Sequence, residues 1–155
     1  NLHRAAEREG ADLAAAAGGF AALGREAPGG YRTLARLRAA ALKAETGASA
    51  AALALWDQVA LDTEADRLYR DLATLLAVTH AIDTADPAQL SARIAPLAVE
   101  GNPWRASARE AQALIALRRG AQEEARRMLE ALVSDPGVPQ GVRERAQRLA
   151  AGLRG

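Results

Sequence analysis

The sequence predicts an all-α fold in which antiparallel helical hairpins stack side by side. Three observations predict it. Alanine, leucine, arginine and glutamate, all strong helix formers, fill every stretch between breakers. No sustained alternation of β-branched residues marks a strand. Aromatic-arginine pairs at Tyr31-Arg32, Tyr69-Arg70 and Trp104-Arg105 recur 38 and 35 residues apart, each opening an alanine-rich run.

Each element follows from its punctuation. Helices are expected over 1–9 and 11–26, divided by Gly10. "EAPGGY" reads as a tight connection into a helix over 30–46, which Gly47 stops. Helices over 49–62 and 66–83 follow. Asp86 ahead of Pro87 pairs a capping side chain with a first-turn proline and opens a helix over 87–99, with Gly101 beyond it. Asn102-Pro103 repeats that start for 103–119, and Gly120 stops it. A helix over 121–134 leads into "SDPGVP", and Val138-Pro139 opens the last helix over 140–153. That makes about nine helices with linkers too short for anything but antiparallel neighbours. The chain reads as one domain over 1–155, with repeats over 1–29, 30–65, 66–102 and 103–138 and a capping helix over 139–155.

Independent marks share the period. Gly47 lies 37 residues after Gly10 and 73 before Gly120. In the second helix of each hairpin, Phe20, Trp56, Ile94 and Leu129 are spaced by 36, 38 and 35 residues. A period of this size marks a solenoid of helical hairpins, in which no unit buries its apolar face alone. The ring that opens each first helix is then expected to fill a gap against the preceding hairpin.

Ala16, Phe20, Leu23 and Pro28 form a small-large-apolar-proline pattern. Ala52, Trp56 and Val59 repeat it after Gly47, and Ala125, Leu129 and Leu132 repeat it after Gly120, with Pro136 one place early. This pattern resembles tetratricopeptide repeats. The hairpin over 66–99 departs from it, lacking the central glycine and starting its second helix at Pro87. The resemblance implies a right-handed superhelical stack whose first helices line a concave groove. Arg32, Leu34, Arg36, Leu37, Arg70, Arg105 and Arg109 are then the candidate groove or groove-edge residues, with arginine available for carboxylates or aromatic rings. On helix 30–46, Leu34, Leu37, Ala41 and Ala44 form one apolar line, with Arg32, Arg36 and Lys43 on another side.

The stretches "GYRTLARLRAAALKAETGASAAALALWDQVALD", "RDLATLLAV" and "GNPWRASAREAQALIAL" resemble the periplasmic repeat domain of the YfgM-like family, ancillary subunits of the SecYEG translocon. That resemblance implies an N-terminal membrane anchor upstream of Asn1 and a periplasmic domain of an inner-membrane protein. It also implies contacts with SecYEG or periplasmic chaperones. The alternatives are a self-associating envelope-assembly adaptor, in which alanine-rich helices mediate a homodimer, and a cytoplasmic location.

Composition narrows the chemistry. Twenty basic and nineteen acidic residues leave a net charge of +1, far from the concentrated positive charge of nucleic-acid binders. There is no cysteine, so neither disulfide nor thiolate chemistry is available. No apolar run reaches the ~20 residues of a membrane span. His80 has no second ligand at helical spacing, and His3 stands near the start, so neither suggests a metal site. Glu123-Glu124 and Asp62, Glu64 and Asp66 read as helix-terminus charges rather than an acid-base pair. Ser49, Ser91, Ser107 and Ser134 lack a nucleophile motif or a histidine nearby in sequence. Gly18-Gly19 and Gly29-Gly30 are not phosphate loops. The reading is a non-enzymatic scaffold with no cofactor.

Overall fold

Seven α-helices and one 3-10 turn build residues 29–154, the part of the chain that the computed structural model describes. Among these residues there is no strand. The helices are α1 (Gly30–Glu45), α2 (Ser49–Leu61), α3 (Arg67–Ala81), α4 (Pro87–Ile94), α5 (Arg105–Arg118), α6 (Gln122–Ser134) and α7 (Gln140–Gly152). The expected helices over 1–9 and 11–26, with His3, Gly10, Ala16, Gly18, Gly19, Phe20, Leu23 and Pro28, lie outside the described residues.

Two starts and one end repay a closer look. Asp86 caps α4 as expected, its Oδ1 accepting the Ala88 N–H at 3.3 Å. The α-helix expected to run to 99 stops at Ile94 and tightens into the 3-10 turn Ala95–Leu97. Pro96 is the reason: it offers no N–H, and its ring clashes with the carbonyl one α-turn back. Asn102 accepts the Trp104 N–H at 2.8 Å, and this side-chain turn delays α5 to Arg105, two residues beyond the expected start.

The described chain divides into two compact units, one ending at Ala81 and one beginning at Ile82. The division falls inside the expected repeat 66–102. In the first unit α1 packs on α2 and α2 on α3. In the second, α4 packs on α5, α5 on α6, and α7 on both α6 and α5.

The two units share a hairpin design at the 73-residue offset. Gly47 and Gly120 adopt φ of 81° and 80°. Each ends its helix in a Schellman turn. The N–H of Gly47 donates to Ala44 O at 3.2 Å and that of Ala48 to Lys43 O at 2.8 Å; their counterparts run Gly120 to Leu117 O at 3.0 Å and Ala121 to Ala116 O at 2.9 Å. The next helix then starts from Ala48 at φ −83°, ψ 64° and from Ala121 at φ −84°, ψ 66°. Alanines take the interior of each: Ala40 and Ala52 in one hairpin, Ala113 and Ala125 in the other, are completely buried. Larger residues are buried on the same helices, Trp56 and Val59 in the first unit and Leu129 and Leu132 at the equivalent positions of the second. Burying each of those leucines contributes about 1.5–3 kcal/mol.

The opening aromatics divide. Tyr69 and Trp104 are buried, whereas Tyr31 is 72% exposed at the start of α1. The interior line of α1 is Gly30, Thr33, Leu37 and Ala40 rather than the expected Leu34, Leu37, Ala41 and Ala44; Leu34 is half-buried.

A Cβ at Gly47 or Gly120 would meet nothing within 4 Å, so the side chain has room and the backbone alone resists it. Gly47→Ala and Gly120→Ala are each expected to lower stability by about 1–2 kcal/mol, the cost of a left-handed non-glycine residue. Urea unfolding checks this, and near-equal losses at both sites are the expected sign of equivalent turns.

Candidate functional site

Arginine at the start of the first helix meets aspartate at the end of the second. In the first unit, Arg32 Nη2 lies 3.4 Å from Asp62 Oδ2 and 3.1 Å from Glu64 Oε2, and Arg36 Nη1 lies 3.1 Å from Asp62 Oδ2. In the second unit, Arg105 Nη2 lies 3.4 Å from Asp135 Oδ2. Both pairs span 30 residues, and the second sits 73 residues after the first. Asp62 and Asp135 leave their helices in extended conformation, ψ 103° and 112°. Each then folds its own loop: Asp62 Oδ1 accepts the Glu64 N–H at 3.0 Å, and Asp135 Oδ1 the Gly137 N–H at 2.8 Å. One carboxylate therefore shapes the turn with one oxygen and holds the first helix with the other.

Arg109 corresponds to Arg36 but turns elsewhere. Its Nε donates to Ala98 O at 3.1 Å, and its Nη2 reaches Glu100 Oε1 at 3.4 Å. Arg105 Nη1 shares Glu100 through Oε2 at 2.5 Å. Four of the five expected groove arginines are thus engaged in contacts within the chain. For the fifth, Arg70, no ion pair is found among the described residues, and its buried Nε has no hydrogen-bond partner. Arg143, 73 residues on, has the same unpartnered buried Nε. Leu37 is a buried core residue.

Several long-range contacts lay beyond sequence reasoning. Ser49, expected to have no histidine near it, sits 3.2 Å from His80 Nε2, because α3 returns antiparallel and sets its last turn beside the first turn of α2. The His80 ring also meets Trp56 edge-on at 5.3 Å. Arg118 donates to the carbonyls of Ile82 and Ala85, tying the end of α5 to the loop before α4. Glu110, on the interior side of α5, is 1% exposed and is gripped on both oxygens by Arg145 of α7, at 2.8 and 3.2 Å. The one sequence signal for that pair is a charged residue at the position where the first hairpin has Leu37.

The remaining carboxylates have structural work. Glu123 and Glu124 stand in the first turn of α6, and the Arg126 hydrogen bond holds the Glu123 carboxyl below its usual range. Asp66 Oδ1 accepts the Leu68 N–H at 2.9 Å at the start of α3. Burial pushes the Tyr69 phenol up, with Asp66 adding to the shift. Among the described residues no group of three or more histidine, aspartate or glutamate side chains is arranged to hold a metal ion. No helix of the described residues is long and apolar enough to cross a membrane.

Asp62 is held below the ordinary carboxylate range by the Glu64 N–H first, then by Arg32 and Arg36, against the opposing effect of burial. A carboxyl depressed in the folded state stabilises above its unfolded pKa of about 3.9 and loses that contribution as pH falls through the folded value. Asp62→Asn is therefore expected to be less stable than the parent at pH 7. The gap should narrow as the pH falls below the unfolded carboxylate value and through the folded one, which urea midpoints across the acid range would show.

Comparison of the chain with known family models, characterised proteins and solved structures finds no match.

Proposed function

We propose that the chain is a non-enzymatic scaffold for protein–protein interaction, a right-handed tetratricopeptide-like stack of about nine helices that takes a protein or peptide partner. The observation that supports this reading is the reuse of one hairpin design at Gly47 and Gly120, turn for turn and methyl for methyl. Repetition of a short structural unit is how helical-repeat proteins generate extended docking surfaces. On the resemblance to the YfgM-like family, the proposal extends to the periplasmic domain of an inner-membrane protein, an ancillary subunit that works beside SecYEG and periplasmic chaperones. Arg32, Arg36, Arg105 and Arg109 would reach a partner only by exchanging contacts they already make within the chain.

A second reading, a self-associating envelope-assembly adaptor, draws on the outer face of α2. Ala50, Ala51, Ala54, Gln58 and Leu61 are exposed and uncharged, Leu61 at 81%. Their counterparts on α6 are Glu123, Glu124, Arg127, Ala131 and Ser134. The same helix in the same hairpin is thus charged in one unit and bare in the other.

Crosslinking in native membranes followed by purification of the chain tests the leading reading. Enrichment of translocon or periplasmic chaperone components is the expected result, and recovery of neither overturns that placement. Sedimentation at micromolar concentrations separates the second reading. A stable dimer that Ala54→Arg dissolves would favour it, and a monomer throughout would remove it.

A further inference from the structure

At the 73-residue offset, Leu37 and Leu72 of the first unit correspond to Glu110 and Arg145 of the second. The leucines are 8% and 0% exposed. Where the first unit buries two leucines, the second buries a carboxylate and clamps it with a guanidinium. Helix α7, which carries Arg145, also has a thin apolar face. It buries only Val142, Ala146 and Ala150, with Leu149 and Leu153 packed at the edge. Its counterpart α3 buries nine residues, four of them leucine or valine and one tyrosine. Gly141 and Gly152 lower the helix preference of α7 further, and Glu144, Gln147 and Arg148 face solvent.

We infer that α7 is a releasable element, held in register by the Glu110–Arg145 pair, that detaches as a unit while the α5–α6 hairpin stays folded. The physical asymmetry lies in what each pair meets on separation. Apolar side chains packed between two helices expose apolar surface on parting, with nothing to offset it. A carboxylate and a guanidinium that part recover their hydration, and this offsets much of the attraction lost. The pair therefore specifies where α7 seats without making that seat hard to leave. The Arg154–Glu130 contact at 3.2 Å adds an exposed tether of the kind that contributes little. Release uncovers the cluster of Ala113, Leu129, Leu132 and Val138 against which α7 packs. This inference does not rest on the scaffold reading.

Native-state hydrogen exchange of the 155-residue chain at low urea concentrations tests it. Protected amides of α7 are expected to exchange at least about tenfold faster than the slowest of α5 and α6, with a much shallower dependence on urea. Glu110→Gln leaves the guanidinium without its counter-charge and should speed α7 exchange further. Glu110→Leu/Arg145→Leu, which installs the residues of the first unit, should slow it by about tenfold or more and leave the urea dependence of α5 and α6 unchanged. Equal protection and equal urea slopes for α5, α6 and α7 would overturn the inference. So would a leucine pair that leaves α7 exchange where it was, a result that holds even if the glutamine variant does not fold.

Discussion

The structure depends on hairpins whose alanines, Ala40 and Ala52 in one and Ala113 and Ala125 in the other, are completely buried. Helices of 13 to 16 residues such as α1 and α2 are marginal in isolation, and their alanine-rich sequences offer little side-chain volume to bury. A fully buried alanine holds no bulk between neighbouring helices, and Trp56, Val59, Leu129 and Leu132 on the same helices are buried as well. Such a hairpin requires a short reversal of the chain. A glycine in left-handed conformation supplies it at Gly47 and Gly120, with both freed helix-end carbonyls satisfied by the turn itself. Substituting bulk at Ala52 or Ala125 would push the helices apart along their whole length.

Charge has two uses on this frame. At the surface, Arg32, Arg36 and Arg105 stitch the first helix to the aspartate that ends the second, and each such contact is weak because water competes for it. Their value lies in geometry, since Asp62 and Asp135 are already fixed by their own loop hydrogen bonds. In the interior, Glu110 is a different matter. Removing its partner strands a buried charge at a cost of about 3–5 kcal/mol, yet replacing both members with apolar residues is often neutral or better. Leu37 and Leu72, both buried, stand at the equivalent positions of the first unit.

Local rules were legible in the sequence, and distant pairings were not. Gly47 and Gly120 could be read because few other residues tolerate their backbone angles, and Asp86-Pro87 because a capping oxygen beside a first-turn proline has one good use. The matched residues at Ala52, Trp56, Val59 and at Ala125, Leu129, Leu132 carried the hairpin register. Pro96 carried a legible stop signal that the longer expected helix 87–99 overrode. The arginines after the opening aromatics looked free for a partner because their carboxylates stand 30 residues away, across a turn whose path only the fold defines. Ser49 and His80 are separated by 31 residues and meet for the same reason. Glu110 reads as a solvent residue unless the first hairpin is laid over the second.

That superposition of one unit on the other sorts positions by the kind of constraint they carry. Residues kept in both hairpins are the glycine of the turn, the paired alanines, the arginine of the first helix and the aspartate of the loop. All of these serve the hairpin itself. The differences are of two kinds. On α2 and α6 they include exposed positions of α2, Ala50, Ala51 and Ala54 against Glu123, Glu124 and Arg127, while the buried places stay apolar, Trp56 and Val59 against Leu129 and Leu132. On α3 and α7 they fall inside, and convert a helix buried on many sides into one that rests on a narrow strip. Outer-face differences alter what a helix can dock against. Inner-face differences alter how firmly it is held. A chain that varies both, while holding the turn geometry to within a degree or two, keeps its architecture fixed and places its individuality in one bare surface and one lightly seated helix.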